Sequence, residues 1–389
     1  MNQGRTVFAQ IMEFVSHNEF KRCVDRYNGN QRVRRLSCWD QFLAMTFAQL
    51  TYRESLRDIE VCLGAHHNKL YHSGLSAPVK RSTLAEANEN RDWRIYSDLA
   101  HSLISVARPL YADAELGIDL DATVYALDST TIDLCLALFP WALFRRAKGA
   151  IKLHTMIEVP SSIPVFIHIT HGKMHDLTAL DVLVPEPGAF IVMDKGYIDF
   201  LRLYSLHLSL MFFVIRAKKD LRFRRRHSRP VDKSTGLRSD QTILLTGPKT
   251  QFLYPDALRR ISYFAKDIDT HFVFLTNNFN VTALTIAELY HKRWQVELFF
   301  KWIKQHLRIK QFFGTSINAV KTQVWISICT YVLIAILKKR LRLHHSIYTI
   351  LQVLSVSLFE KRPILRLFDG IEEQSEQDYS RKQLNLWEF

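Results

Sequence analysis

The chain has 389 residues, 48% of them hydrophobic and 23% charged, enough apolar material for two or three domains with their own cores. Lysine and arginine outnumber aspartate and glutamate by 52 to 38, a formal net charge of +14 that favours a polyanionic partner. The composition is that of a globular protein without low-complexity tracts. Five cysteines (Cys23, Cys38, Cys62, Cys135, Cys329) lie scattered without metal-ligand spacing, which points to a reduced, intracellular, cytoplasmic setting. The longest apolar run, Val324 to Leu337, is about 14 residues long, too short to span a bilayer and suited to a buried helix. The opening MNQGRTVFAQIMEF has no apolar core followed by a cleavage site, so no secretory signal is expected.

Residues 1–75 read as a small helical module. FLAMTFAQL (42–50) and SLRDIEVCL (55–63) are amphipathic at helical spacing across the break Thr51 to Glu54. The pair resembles a helix-turn-helix with Arg32, Arg34 and Arg35 upstream to meet phosphates, although two packed helices are common in any helical domain. Residues 76–118 read as a helical connector. From Ala122, TVYALD (123–128), AIKLHTMIEV (150–159) and PVFIHIT (164–170) read as strands rich in β-branched and aromatic residues. HDLTALDVL (175–183) reads as a helix and FIVMD (190–194) as a strand. GYIDFLRLYSL (196–206) then reads as a helix and MFFVIRA (211–217) as a strand. The order β-β-β-α-β-α-β predicts a mixed α/β architecture. A basic, turn-rich segment with short strands follows and predicts a β-rich insertion over 220–282. Further helices are expected at about 285–306, 316–340 and 346–359, before a polar tail.

Tyr290, Arg293, Glu297 and Lys304 stand at offsets of 0, 3, 7 and 14 in YHKRWQVELFFKWIK. At roughly 100° per residue, one continuous helix places all four within an arc of about 60°, with Val296, Leu298, Phe299, Trp302 and Ile303 on the other side. A carboxylate held among two cations and a phenol suggests a group that works beside phosphates. The ordinary alternative is an intrahelical pair, because Arg293 is four residues before Glu297.

Two further acids end strands. Asp128 closes TVYALD, and Asp194 closes FIVMD before Lys195-Gly196-Tyr197. Sites in open α/β sheets gather at such carboxyl ends. With Glu297 they form three carboxylates able to converge on Mg²⁺, and two such ions suit in-line displacement at phosphorus. Arg293 and Lys304 would hold flanking phosphates.

The set Asp128-Ser129-Thr130, Asp194 to Tyr197 and Y-x2-R-x3-E-x6-K resembles the insertion-sequence-4 group of bacterial DDE transposases. CWDQFLAMTFAQLTYRESLRDIE also resembles the small domain that opens many members, so the likeness runs from about residue 5 to 340. The resemblance implies an RNase H-like core with Asp128 beside Asp194, joined by Glu297 as catalytic and metal-binding acids. It implies two Mg²⁺ ions, with Mn²⁺ as a substitute. It implies a nucleoid-associated homodimer that holds double-stranded DNA, transposon ends and target, in a synaptic complex, with no membrane partner. Members cleave the element's ends and use the freed 3′-hydroxyl to attack target DNA. Several relatives pass through a DNA hairpin, with an aromatic side chain holding a flipped base. Tyr290, Arg293 and Lys304 then match DNA contacts, and Arg216 is placed like a DNA-binding arginine. The implied domains are 1–75, 76–118, 119–345 (with the 220–282 insertion) and 346–389.

Other residues keep plainer readings. His154, His168, His171 and His175 read as structural or near DNA rather than as zinc ligands. Asp176 reads as a cap of the helix that follows it. Arg222, Arg224, Arg225 and Arg226 are either a solvated face or phosphate contacts. Phe252, Tyr254 and Tyr263 are candidates for a base clamp. The rival functions are a transposase-derived DNA-binding regulator without nuclease activity and a purely hydrolytic nuclease.

Overall fold

The computed structural model describes residues 4–145, 148–305 and 312–371; His306, the expected end of a helix, and the tail from residue 372 lie outside the described residues. The chain begins with six helices: α1 (Val7–Met12), α2 (His17–Arg26), α3 (Cys38–Leu50), α4 (Leu56–Ala65), α5 (Arg81–Asn90) and α6 (Arg94–Leu110). An α/β stretch follows: β1 (Val124–Leu134), β2 (Leu143–Arg145), β3 (Lys148–Glu158), β4 (Ile163–His171), α7 (Thr178–Asp181), β5 (Phe190–Met193), α8 (Phe200–Leu208) and β6 (Phe212–Arg216). Next come β7 (Phe223–Arg229), β8 (Leu237–Leu245), α9 (Thr250–Leu253), β9 (Leu258–Ala265) and β10 (Thr270–Thr276). The last helices are α10 (Ala283–His291), α11 (Trp294–Gln305), α12 (Ile317–Arg340) and α13 (Ile347–Ser357).

These elements form two compact units, each drawn from separated stretches of chain. One contains residues 1–112, 132–149 and 300–389, the other 113–131 and 150–299. In the first unit, α12 is the hub, packed by α3, α5, α6 and α13. The apolar run Val324–Leu337 lies inside this 24-residue helix, which has the length and composition to cross a membrane but is buried within the unit. Burial on every face explains why α12 lacks a helical stripe. It is also why the C-terminal helices group with the N-terminal ones. α3 is likewise buried nearly throughout and starts from a capping box between Ser37 and Asp40.

The second unit is built on a mixed sheet of order β4-β3-β1-β5-β6-β10-β9-β8-β7. The run β4-β3-β1-β5-β6 has the neighbours expected of an RNase H-like core. β1, β5 and β6 are parallel, with Leu127 opposite Met193 and Met193 opposite Ile215. Their interior residues are hydrophobic and buried, as for parallel strands covered on both faces. Strands do fill the expected insertion at 220–282, but they extend the central sheet, because β10 pairs antiparallel with β6. β7 is the edge strand and exposes Arg224, Arg225 and Arg226, charges that discourage edge-to-edge pairing.

The continuous helix expected over 285–306 is broken. α10 ends at His291, α11 starts at Trp294, and the junction is closed by i→i−3 bonds from Arg293 N–H to Tyr290 and from Val296 N–H to Arg293. Tight turns of this kind inside a helical run mark a functional hinge or a strained sequence. Here both flanking side chains are committed elsewhere, Tyr290 to Asp194 just past β5 and Arg293 to Asp128 within β1.

Candidate active site

The register of the parallel strands sets the site. One residue past Leu127, Met193 and Ile215 come Asp128, Asp194 and Arg216, in a row where the parallel pairing of β1, β5 and β6 stops; β1 does not end at Asp128, as its sequence suggests, but runs on to Leu134. Two acids and a cation are thus delivered by three adjacent strands, where the sheet's hydrogen bonding fixes their backbones. Open α/β sheets bind ligands at this edge.

The α10–α11 junction brings the remaining groups of the second unit. Tyr290 Oη donates to Asp194 Oδ1 at 3.2 Å. Its ring is buried against Phe274 (4.7 Å between centroids) and Phe272 (5.9 Å). Burial, with Asp194 beside it, raises the phenol to about 12, so it stays a donor at neutral pH. Arg293 Nη1 donates to Asp128 Oδ2 at 2.7 Å, and Nη2 donates to Glu297 Oε1. The i,i+4 pair allowed by the sequence is therefore formed, although Arg293 stands just before α11, and the same guanidinium also reaches Asp128 on β1. Its side chain is only 13% exposed. Burial alone would weaken its hold on the proton, but Asp128 and Glu297 together keep it firmly protonated. Arg216 lays its guanidinium over the Phe272 ring at 5.1 Å. Lys304 is in the last turn of α11, which belongs to the other unit.

Asp128 is the perturbed acid of the set. Burial pushes it up to about 6; Arg293 and the Ser129 N–H oppose that shift, while Glu297 and Asp194 reinforce it. Desolvation thus outweighs the arginine, and the site favours the neutral, protonated form of this carboxyl. Arg293 stands between Asp128 and Glu297. Among the described residues, no three His, Cys, Asp or Glu side chains stand close enough to hold an ion together, with that guanidinium between two of the acids. The donor chemistry still fits a hard divalent cation: carboxylate oxygens on neighbouring strands, and a third carboxylate linked through a cation.

The raised Asp128 has a pH signature. The folded value lies above the unfolded value of about 4, so the contribution to stability is present below pH 4 and lost as pH rises through about 6. A bound cation reverses that preference by favouring the ionised form. Mn²⁺ affinity is therefore expected to be about tenfold weaker at pH 5 than at pH 7. Calorimetric titration at the two pH values checks this, and equal affinities would remove Asp128 from the ligand set.

Several plainer readings change. Asp176 does not cap α7, whose cap position is Leu177 with no side-chain bond. It accepts instead from Ser129 Oγ at 2.5 Å and pairs with Lys152 Nζ at 3.1 Å. A lysine in the middle of the strand AIKLHTMIEV was the available signal. His154 is fully buried, its Nε2 bonded to Thr170 Oγ1 at 3.0 Å. Tyr254 is buried against Tyr204, His207 and Phe213, so it does not present a stacking face, whereas Phe252 is exposed.

The chain is similar to known proteins over much of its length. Residues 119–333 match the Transposase DDE domain family, more than half of the chain, and residues 3–76 match a domain of unknown function, DUF4372. A Sinorhizobium fredii protein named as transposase y4zB is 30% identical over 285 residues, which is 72% of this chain and 78% of that protein. The transposase of insertion sequence element IS5377 from Geobacillus stearothermophilus is 30% identical over 54% of this chain and 55% of its own length. Among solved structures, a piggyBac transposase synaptic complex with hairpin DNA aligns at a TM-score of 0.47 and 11% identity, over 96% of this chain and 83% of that one. DDE transposases use divalent metal, and the row of Asp128, Asp194 and Arg216 faced by Tyr290 and Arg293 stands within the matched residues. The chain belongs to the DDE transposases of insertion sequences, enzymes that act on DNA.

Proposed function

We propose that this transposase moves its element by cut and paste, with Asp128, Asp194 and Glu297 as catalytic acids. The observation that carries the reading is the strand register that sets Asp128 beside Asp194, with Arg293 joining Asp128 to Glu297. The three carboxylates would hold two Mg²⁺ ions, with Mn²⁺ as a substitute. Such ions activate a water or 3′-hydroxyl and stabilise the leaving oxygen of an in-line displacement. Arg293 exchanges its carboxylates for a phosphate of the terminal strand, which its planar fork suits. Tyr290 holds Asp194 in place and meets the same strand, while Arg216 and Lys304 neutralise flanking phosphates. Residues 1–75 bind the terminal repeats, 76–118 connect them to the catalytic domain at 119–345, and 346–389 complete the chain. The edge-strand arginines of β7 add phosphate contacts. Two copies form a homodimer that holds two ends in one synaptic complex, in the cytoplasm and at the nucleoid.

The test combines purified protein, Mg²⁺, a DNA carrying the element's ends and a supercoiled target plasmid. Joined products that require both ends are expected. Cut ends without joining would favour a hydrolytic nuclease, and a mobility shift without cleavage would favour a DNA-binding regulator.

A further inference from the structure

Asp176 lies outside the row of Asp128, Asp194 and Arg216 but is bonded to it. It stands between β4 and α7, where three groups converge on its Oδ1: Ser129 Oγ at 2.5 Å, Lys152 Nζ at 3.1 Å and His154 Nδ1 at 3.8 Å. Lys152, on β3, is only 13% exposed, and its ammonium also donates to the Met174 carbonyl at 3.0 Å. A lysine usually extends its head into water. This one turns inward toward one carboxylate, which is itself 30% exposed. Ser129, the other partner of Asp176, directly follows Asp128, and its N–H donates to Asp128 Oδ1 at 2.7 Å. A chain of bonds therefore runs from Lys152 through Asp176 and Ser129 to one oxygen of Asp128. The other oxygen, Oδ2, is the one that faces Arg293.

We propose that Asp176 and Lys152 are positioning residues for the Asp128 carboxylate. Lys152 fixes Asp176, Asp176 fixes the Ser129 hydroxyl, and the Ser129 N–H then holds Asp128 with one oxygen turned outward to a cation. Neither residue touches DNA or metal in this scheme. The inference rests on the reading that Asp128 and Asp194 bind divalent metal, and the experiment separates the two.

Mn²⁺ binding to the full chain is titrated by calorimetry at pH 7, and thermal unfolding is recorded in chelator. Groups that orient a metal ligand are worth about 10–100-fold in affinity, and that loss is expected for Asp176→Ala and equally for Ser129→Ala. Asp176→Asn keeps an oxygen for the Ser129 hydroxyl and loses less. The Ser129→Ala/Asp176→Ala double variant loses no more than the worse single, because both break one chain. Parent affinity in Asp176→Ala and Ser129→Ala, with only the unfolding midpoint lowered, assigns the cluster to structure and overturns the proposal. Additive losses in the double variant overturn it too. If the parent binds no Mn²⁺, or Asp194→Asn binds as the parent does, the metal reading itself fails and the positioning role falls with it. Should Asp176→Ala not fold, Asp176→Asn and Ser129→Ala decide the question.

Discussion

Asp194→Asn is expected to lower cleavage at the element's ends by at least about a thousandfold, on the order of 4 kcal/mol in the barrier, with DNA binding and stability nearly unchanged. The substitution is close to isosteric. Its amide oxygen still accepts from Tyr290 Oη, which now donates to Asp194 at 3.2 Å, so the α10 anchor survives. What disappears is a negative charge at the end of β5, beside Asp128 on β1. A neutral amide is a poor ligand for a hard cation, and the loss falls on the chemical step rather than on binding of the ends. Asp194 is a cleaner test than Asp128. Asp128→Asn also removes a counter-charge of the buried Arg293, which leaves Glu297 to balance that cation. End cleavage by purified Asp194→Asn at more than a tenth of the parent rate would strike Asp194 from the catalytic set.

The acids of this site were readable because their signals are local. TVYALD and FIVMD each join a β-branched or aromatic run to an acid; β5 does stop just before Asp194, whereas β1 runs past Asp128 to Leu134 and only its pairing with β5 stops there. The break between α10 and α11 had no such signal. No glycine or proline interrupts residues 285–305, and each residue there is compatible with a helix. The break coincides with bonds to residues 165 and 96 positions away, Arg293 to Asp128 and Tyr290 to Asp194. Asp176 was misread for the same reason. Its position just before a helical run is that of a cap, and its partner Ser129 lies 47 residues upstream. Strand existence in 220–282 was legible from composition, but the pairing of β10 with β6 was not, since register is set by contacts across the sheet rather than by pattern along it. Strand-end position and helix spacing single out the three acids, but neither brings Glu297 next to Asp128, which depends on the contact through Arg293.

The second large effect concerns stability. Asp240→Ala is expected to destabilise the second unit by about 3–5 kcal/mol, the usual range for removing one partner of a buried ion pair. Arg259 and Asp240 are each 3% exposed. The guanidinium grips the carboxylate twice, Nε to Oδ1 at 2.9 Å and Nη2 to Oδ2 at 2.8 Å, and Nη1 donates to the Val281 carbonyl at 2.6 Å. The pair thereby ties β8 and β9 to the turn that leads into α10, whose cap is Thr282 and which carries Tyr290. Without Asp240, a buried cation keeps its carbonyl contact but loses its counter-charge, so the turn must move or admit water. Replacing both partners, as in Asp240→Leu with Arg259→Met, removes the orphaned charge and should recover most of the loss, because a buried pair gains little over well-packed apolar groups. Denaturant unfolding of the parent, the single and the double variants makes the comparison. A loss below about 1 kcal/mol in Asp240→Ala would mean that solvent reaches Arg259 and that the pair does not brace the approach to α10.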